Sequence, residues 1–61
     1  MTYQIEAHFV NTETNEFRLL LFYGHNRNAA KERLNDYQQK NALMLLVATH
    51  YNGYTKGNIH P

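Results

Sequence analysis

The segment near the amino terminus constrains the fold most, because apolar and polar residues alternate along it as they do in a half-buried β-strand. Within residues 3–10, apolar side chains occupy the odd positions and mostly polar ones the even positions, and a strand directs successive side chains to opposite faces of its sheet. Turn-forming polar residues fill positions 11–15, and a largely apolar run follows. The pattern predicts a β-hairpin with strands over about 3–10 and 16–23.

A five-residue loop that closes Val10 against Glu16 sets the register predicted for this hairpin. In that register every cross-strand pair on one face is apolar or aromatic, and a slip of one residue would mix the two faces. The pairs are Phe9 with Phe17, Ala7 with Leu19, Ile5 with Leu21, and Tyr3 with Tyr23. We therefore expect the odd-numbered residues of both strands to form the core.

A helix is predicted after the hairpin, over about residues 28–41. Gly24 and the polar residues after it break the second strand, and Asn28 is a suitable N-cap because its side-chain oxygen can accept from first-turn amides. Asp36 and Lys40 form a favourable pair one helical turn apart.

Residues 43–51 allow two interpretations. The helix could continue to Tyr51, because apolar or small residues recur at helical spacing; this stripe comprises Ala30, Leu34, Tyr37, Asn41, Met44, Ala48 and Tyr51. We favour a strand, since a two-stranded hairpin alone is marginally stable and every residue from 43 to 48 is apolar. The Asn52-Gly53 pair then predicts a turn, with residues 54–59 as a candidate short fourth strand.

The predicted fold is a small α+β single domain spanning residues 1–61, with the element order β-β-α-β and an optional further strand. One helix packs on one face of a three- to four-stranded, mostly antiparallel sheet. The strand order stays open at this point. The alternating first strand suits the centre of a 2-1-3 sheet, whereas the more apolar second strand argues for its own central position.

The sheet face opposite the helix is the predicted interaction surface, because the sequence contains no second helix to cover it. An apolar centre with a charged rim is typical of protein interfaces. The predicted apolar anchors are Leu20, Phe22, Met44, Leu46 and Ala48, and the predicted rim consists of Glu6, His8, Arg18 and His50. We expect the partner to be a second copy of the chain, another protein, or both.

A basic segment at the predicted start of the helix supports an alternative function, binding of an anion or a nucleic acid. Helix N-termini attract anions, and cationic side chains cluster there; the candidates are His25, Asn26, Arg27, Asn28, Lys31 and Arg33. The formal net charge of the whole chain is only +1, which is weak for a nucleic-acid binder.

Catalysis and metal binding are not expected. The chain has no cysteine and no serine, and a domain of this size offers little room for a pocket. Its four histidines show neither HxH nor HxxxH spacing, so we expect no metal, no cofactor and no catalytic residue. His8 and His50 would become neighbours if the first and third strands pair, which would make that part of the rim sensitive to pH.

A cytoplasmic location is expected, because the amino terminus lacks the features of a secretory signal and the longest apolar run spans only residues 42–48. In length and β-β-α-β pattern the chain resembles small accessory proteins encoded by phages and other mobile elements. That resemblance implies a regulatory or inhibitory role, since some such proteins bind and inhibit a host enzyme. The sequence thus predicts a non-enzymatic, homodimeric protein-interaction module.

Overall fold

Three strands and one helix make up residues 1–55, the part of the chain that the computed structural model describes. They are β1 (Thr2–Asn11), β2 (Phe17–Gly24), α1 (Arg27–Lys40) and β3 (Met44–Thr55). The strands form one antiparallel sheet in the order β2-β1-β3. This confirms the small α+β fold and the strand interpretation of residues 43–51, and the continued helix is wrong.

The alternating strand β1 occupies the centre of the sheet and supplies most of the core. Three of its odd-numbered side chains lie under α1 and are fully shielded from water, and two helix residues complete the core; the buried set is Ile5, Ala7, Phe9, Ala30 and Leu34. Further side chains are partly buried against this set, namely Tyr3, Leu20, Phe22, Tyr37, Met44 and Leu46. The aromatic ring of Tyr37 lies 5.0 Å from that of Phe9, centre to centre.

The predicted register of the β1–β2 hairpin is wrong by one residue. Ala7 lies opposite Leu20, not Leu19, so the even-numbered residues of β2 face the helix. The turn accounts for the shift, because it contains four residues, 12–15, and closes with a hydrogen bond from the Asn11 amide to the Glu16 carbonyl (2.8 Å). The Asn11 side chain accepts from two turn amides, and Asn15 adopts a positive φ of 63°, a conformation that asparagine tolerates.

Strand β3 follows β1 along its whole length but contains two irregularities. Val47 and Asn52 have no partner in the register with β1 and interrupt the pairing. Gly53, at φ 82°, continues the strand, so the predicted turn at this point is wrong. The first two residues of the candidate fourth strand, Tyr54 and Thr55, belong to β3, and residues 56–59 lie outside the described part of the chain.

The N-cap of the helix lies two residues before the predicted position. Asn26, not Asn28, is the N-cap, and its side chain accepts a hydrogen bond from the Ala29 amide at 2.9 Å. Strand β2 ends at Gly24. This residue lies so close to the helix that a Cβ placed on it would be 2.4 Å from the Ala30 nitrogen. The glycine is therefore required for space, and it fixes the first turn of α1 against the end of β2.

Candidate functional site

The face of the sheet opposite α1, which we call the open face, carries two distinct halves. One half is apolar, and its members lie near the β1–β2 turn and along β2; they are Val10, Phe17, Leu19, Leu21 and Leu45. Four of these side chains are exposed, at 77% for Phe17, 55% for Leu45, 53% for Leu19 and 41% for Leu21. No second layer covers this half within residues 1–55, so it is an exposed apolar surface.

The predicted anchors do not belong to this surface. Leu20, Phe22, Met44 and Leu46 pack against the buried core on the helix side of the sheet. The one-residue shift of the hairpin places Leu20 and Phe22 on the helix side. In β3, the bulge at Val47 reverses the parity, so that residues 44 and 46 face the helix and residues 48 and 50 lie on the open face.

Three of the four predicted rim residues lie on the open face. Glu6, His8 and His50 lie on the open face, and so does the predicted anchor Ala48, since Glu6 pairs with His50 and His8 with Ala48. Arg18 lies opposite the buried Phe9 and therefore on the helix side, where it is exposed.

The second half of the open face is polar and crosses all three strands. On β1, Gln4 donates a hydrogen bond to the Tyr23 hydroxyl of β2 at 3.2 Å. From β3, the Asn52 amide donates to the Gln4 side-chain oxygen at 2.7 Å and approaches Glu6 at 3.4 Å. Gln4, Tyr23 and Asn52 were not predicted as site residues, although the alternation of β1 does assign Gln4 to this face.

Glu6 and two histidines continue the polar half across the sheet. The Nε2 atom of His8 lies 2.9 Å from the Glu6 carboxylate, and the His8 and His50 rings are 5.5 Å apart in an edge-to-face arrangement. The predicted proximity of these two histidines is therefore confirmed. The hydrogen bond from His8, helped by the one from Asn52 and by the charges of both histidines, lowers the pKa of Glu6 below its usual value.

The structure does not gather the predicted anion-binding residues into one patch. Asn26 is occupied as the N-cap, and the guanidinium of Arg27 lies 4.8 Å from the centre of the Tyr51 ring. At 100° per residue, Arg27 and Lys31 share one flank of α1, whereas Arg33 lies on the other. Within residues 1–55, moreover, no group of three or more histidine, aspartate or glutamate side chains is arranged to hold a metal ion.

An open groove runs between α1 and β2 on the flank that carries Arg33. The helix contributes charged side chains to it, and their signs alternate along the chain as acid, base, acid and base; these are Glu32, Arg33, Asp36 and Lys40. Asp36 and Lys40 already form an ion pair at 3.2 Å. The free edge of β2, from Leu21 to Tyr23, forms the opposite wall.

Comparison with known proteins assigns no relative to this fold. No family model matches the chain, and neither a curated protein nor a solved structure is significantly similar to it. Of the helices in residues 1–55, none has the length and apolar character needed to cross a membrane.

Proposed function

We propose that this chain is a non-enzymatic protein-interaction module, of the accessory, regulatory or inhibitory kind, that acts through the apolar half of its open face. The observation that supports this proposal is the exposure of Phe17, Leu19, Leu21 and Leu45 on one side of one sheet. The first partner is a second copy of the chain, and the assembled module presents the remainder of the open face to other proteins.

The energetic reason is the cost of leaving this surface in water. Apolar area removed from water stabilises a complex by about 25 cal/mol per Å² before the costs of association are subtracted. Single exposed leucines are common on monomers, but a contiguous group of large apolar side chains is characteristic of binding sites. The adjacent polar half, whose groups are already hydrogen-bonded to one another, matches the polar rim that surrounds such a centre.

The test is the solution mass of the protein, measured by light scattering across a dilution series. We compare the wild type with Leu19→Asp, which adds a charge to the apolar half, and with Asn35→Asp, which adds the same charge to an exposed position on α1. Wild type and Asn35→Asp should be dimeric with similar dissociation constants. Leu19→Asp should weaken association by roughly 30-fold or more, the effect of losing an interface hot spot of about 2 kcal/mol.

Two outcomes would overturn the proposal. The first is a wild type that stays monomeric throughout the dilution series. The second is a Leu19→Asp variant that associates as tightly as Asn35→Asp. Because the Leu19 side chain is half exposed, the variant should retain the far-ultraviolet circular dichroism of the wild type, which separates loss of association from loss of folding.

A further inference from the structure

Strand β2 is a free edge of the sheet, and its outward hydrogen-bonding groups can be identified. It pairs with β1 alone among the described residues. The Asn11 amide donates to the Glu16 carbonyl, and hydrogen-bonded pairs alternate along an antiparallel ladder. The even-numbered residues of β2 therefore bond to β1, whereas Phe17, Leu19, Leu21 and Tyr23 direct their backbone amides and carbonyls away from the sheet.

The two edges of this sheet differ in how well they are protected. The β3 edge is interrupted at Val47 and at Asn52 and carries a positive φ at Gly53; such irregularities discourage pairing with another strand. Strand β2, by contrast, follows β1 without any register shift through all eight of its residues. It contains no proline and one charged residue, Arg18. The β2 edge is thus a regular template for a further strand.

The sequence of β2 is nearly symmetric about Leu20, and this symmetry indicates the partner. Aromatic residues lie three positions to either side, at Phe17 and Tyr23, and leucines lie one position to either side. In a two-fold interface centred on Leu20, residues equally far from Leu20 on its two sides lie opposite each other. From these observations we infer that two copies of the chain join through antiparallel pairing of their β2 strands, centred on Leu20, to form one six-stranded sheet. This inference rests on the proposed function, because it specifies how the second copy binds.

The pairing uses every outward group of the strand. Phe17 lies opposite the partner's Tyr23, and Leu19 opposite the partner's Leu21, with the reciprocal pairs generated by symmetry. The four residues that each strand contributes to these pairs have backbone amides and carbonyls that point outward. Each pair therefore exchanges two backbone hydrogen bonds. The side chains of these pairs lie together on the open face, where apolar cross-strand neighbours stabilise a sheet.

The helix charges beside β2 fit the same two-fold axis. Ala30 lies beside Gly24 and the Tyr37 ring lies beside that of Phe22, so α1 runs along β2 in the opposite direction. An antiparallel copy brings its own α1 to the groove with the order of charges reversed. Acid and base alternate along this flank of α1, at Glu32, Arg33, Asp36 and Lys40, so neither copy presents a run of like charges to the other.

Edge pairing also avoids a cost that face-to-face packing of the two sheets would incur. A sandwich of two open faces would enclose the polar half, including the Glu6 carboxylate and the two histidines. Removing an ionised carboxylate from water is expensive unless new partners replace the solvent. Side-by-side pairing leaves Glu6 in water, packs the exposed apolar side chains of the two β2 strands against one another, and leaves the remainder of both open faces for other proteins.

Amide hydrogen exchange, measured by nuclear magnetic resonance on the ¹⁵N-labelled wild type, tests the arrangement. At protein concentrations where light scattering shows a dimer, the amides of Leu19 and Leu21 should exchange at least about 10-fold more slowly than in the diluted monomer. The amide of Leu20, which bonds to β1 within one chain, serves as the internal control and should be protected at both concentrations. A dimer in which the Leu19 and Leu21 amides exchange as in the monomer overturns the edge pairing and leaves self-association intact.

A matched pair of variants gives a second readout. Leu21→Ala and Leu21→Pro both remove the leucine side chain, but only proline also removes the outward amide and obstructs a neighbouring strand. Both variants should fold, as judged by circular dichroism, because the lost amide is not used within the chain. We expect Leu21→Ala to dimerise, with a weakened affinity, and Leu21→Pro to be monomeric. Equal dimerisation by the two folded variants would overturn the inference, and a monomeric wild type would overturn the proposed function with it.

Discussion

Replacing each of two adjacent leucines with alanine tests the register of β2 directly. Leu20 packs against the core, whereas 53% of Leu19 is exposed. Complete burial makes Leu→Ala cost about 2.7–5 kcal/mol. Since Leu20 is only partly buried, we expect Leu20→Ala to lower the free energy of unfolding by about 2 kcal/mol, and Leu19→Ala to lower it by about 1 kcal/mol or less.

The effect of Leu20→Ala is large for a domain of this size. A 61-residue chain has a total stability of roughly 3–9 kcal/mol, and a loss of 2 kcal/mol lowers Tm by about 10 °C or more. Urea unfolding followed by circular dichroism measures both variants. The protein must be dilute enough to be monomeric, because association adds stability that depends on concentration.

The opposite order of effects would refute the reasoning. If Leu19→Ala is the more destabilising variant, the odd-numbered residues of β2 face the helix. The register of the hairpin would then be the one predicted from the sequence. A second pair gives an independent check, because Phe22 packs on Tyr37 with ring centres 5.7 Å apart while Leu21 is exposed. Phe22→Ala should therefore cost more than Leu21→Ala in the same assay.

Three further predictions concern the supporting structure. Gly24→Ala should lower the free energy of unfolding by roughly 1–3 kcal/mol, since the added Cβ would meet the Ala30 backbone at 2.4 Å; a thermal melt with an unchanged midpoint would contradict this. Asn26→Ala should cost about 1 kcal/mol and Asn28→Ala much less, because only Asn26 caps the helix, and equal urea midpoints would show that the cap is elsewhere. The pKa of Glu6 is lowered in the folded chain, so the carboxylate stabilises the fold above its unfolded pKa, and this contribution is lost as the pH falls through the folded pKa. The Tm difference between wild type and Glu6→Gln should accordingly shrink on acidification below the ordinary carboxyl range, and a difference independent of pH would rule out the Glu6–His8 interaction.

The sequence predicts the element order well because β1 carries an unambiguous signal. Ile5, Ala7 and Phe9 alternate with polar residues, so only one face of that strand can be buried. Strand β2 has no such restriction, since it presents leucines and aromatic residues on both faces. Its register is instead set by the turn, where Asn11 and Asn15 shorten the loop by one residue.

The composition of the open face was harder to predict for a related reason. Two residues of β3 lie outside the register with β1, and a single bulge reverses which parity faces the helix. No pattern in the apolar run around Val47 marks that position. Asn52 and Gly53 resemble a hairpin turn in sequence, yet Asn52 reaches across to β1 and helps to build the polar half.

The central position of β1 has a consequence for how the chain acquires its structure during synthesis. The first strand made is the one that needs a neighbour on both sides, and its second neighbour, β3, consists of residues 44–55. Pairing over such a separation along the chain is entropically costly and slow. We therefore expect the sheet to close only after residues 44–55 have been synthesised, and a chain truncated after residue 43 should lack the circular dichroism of the full protein.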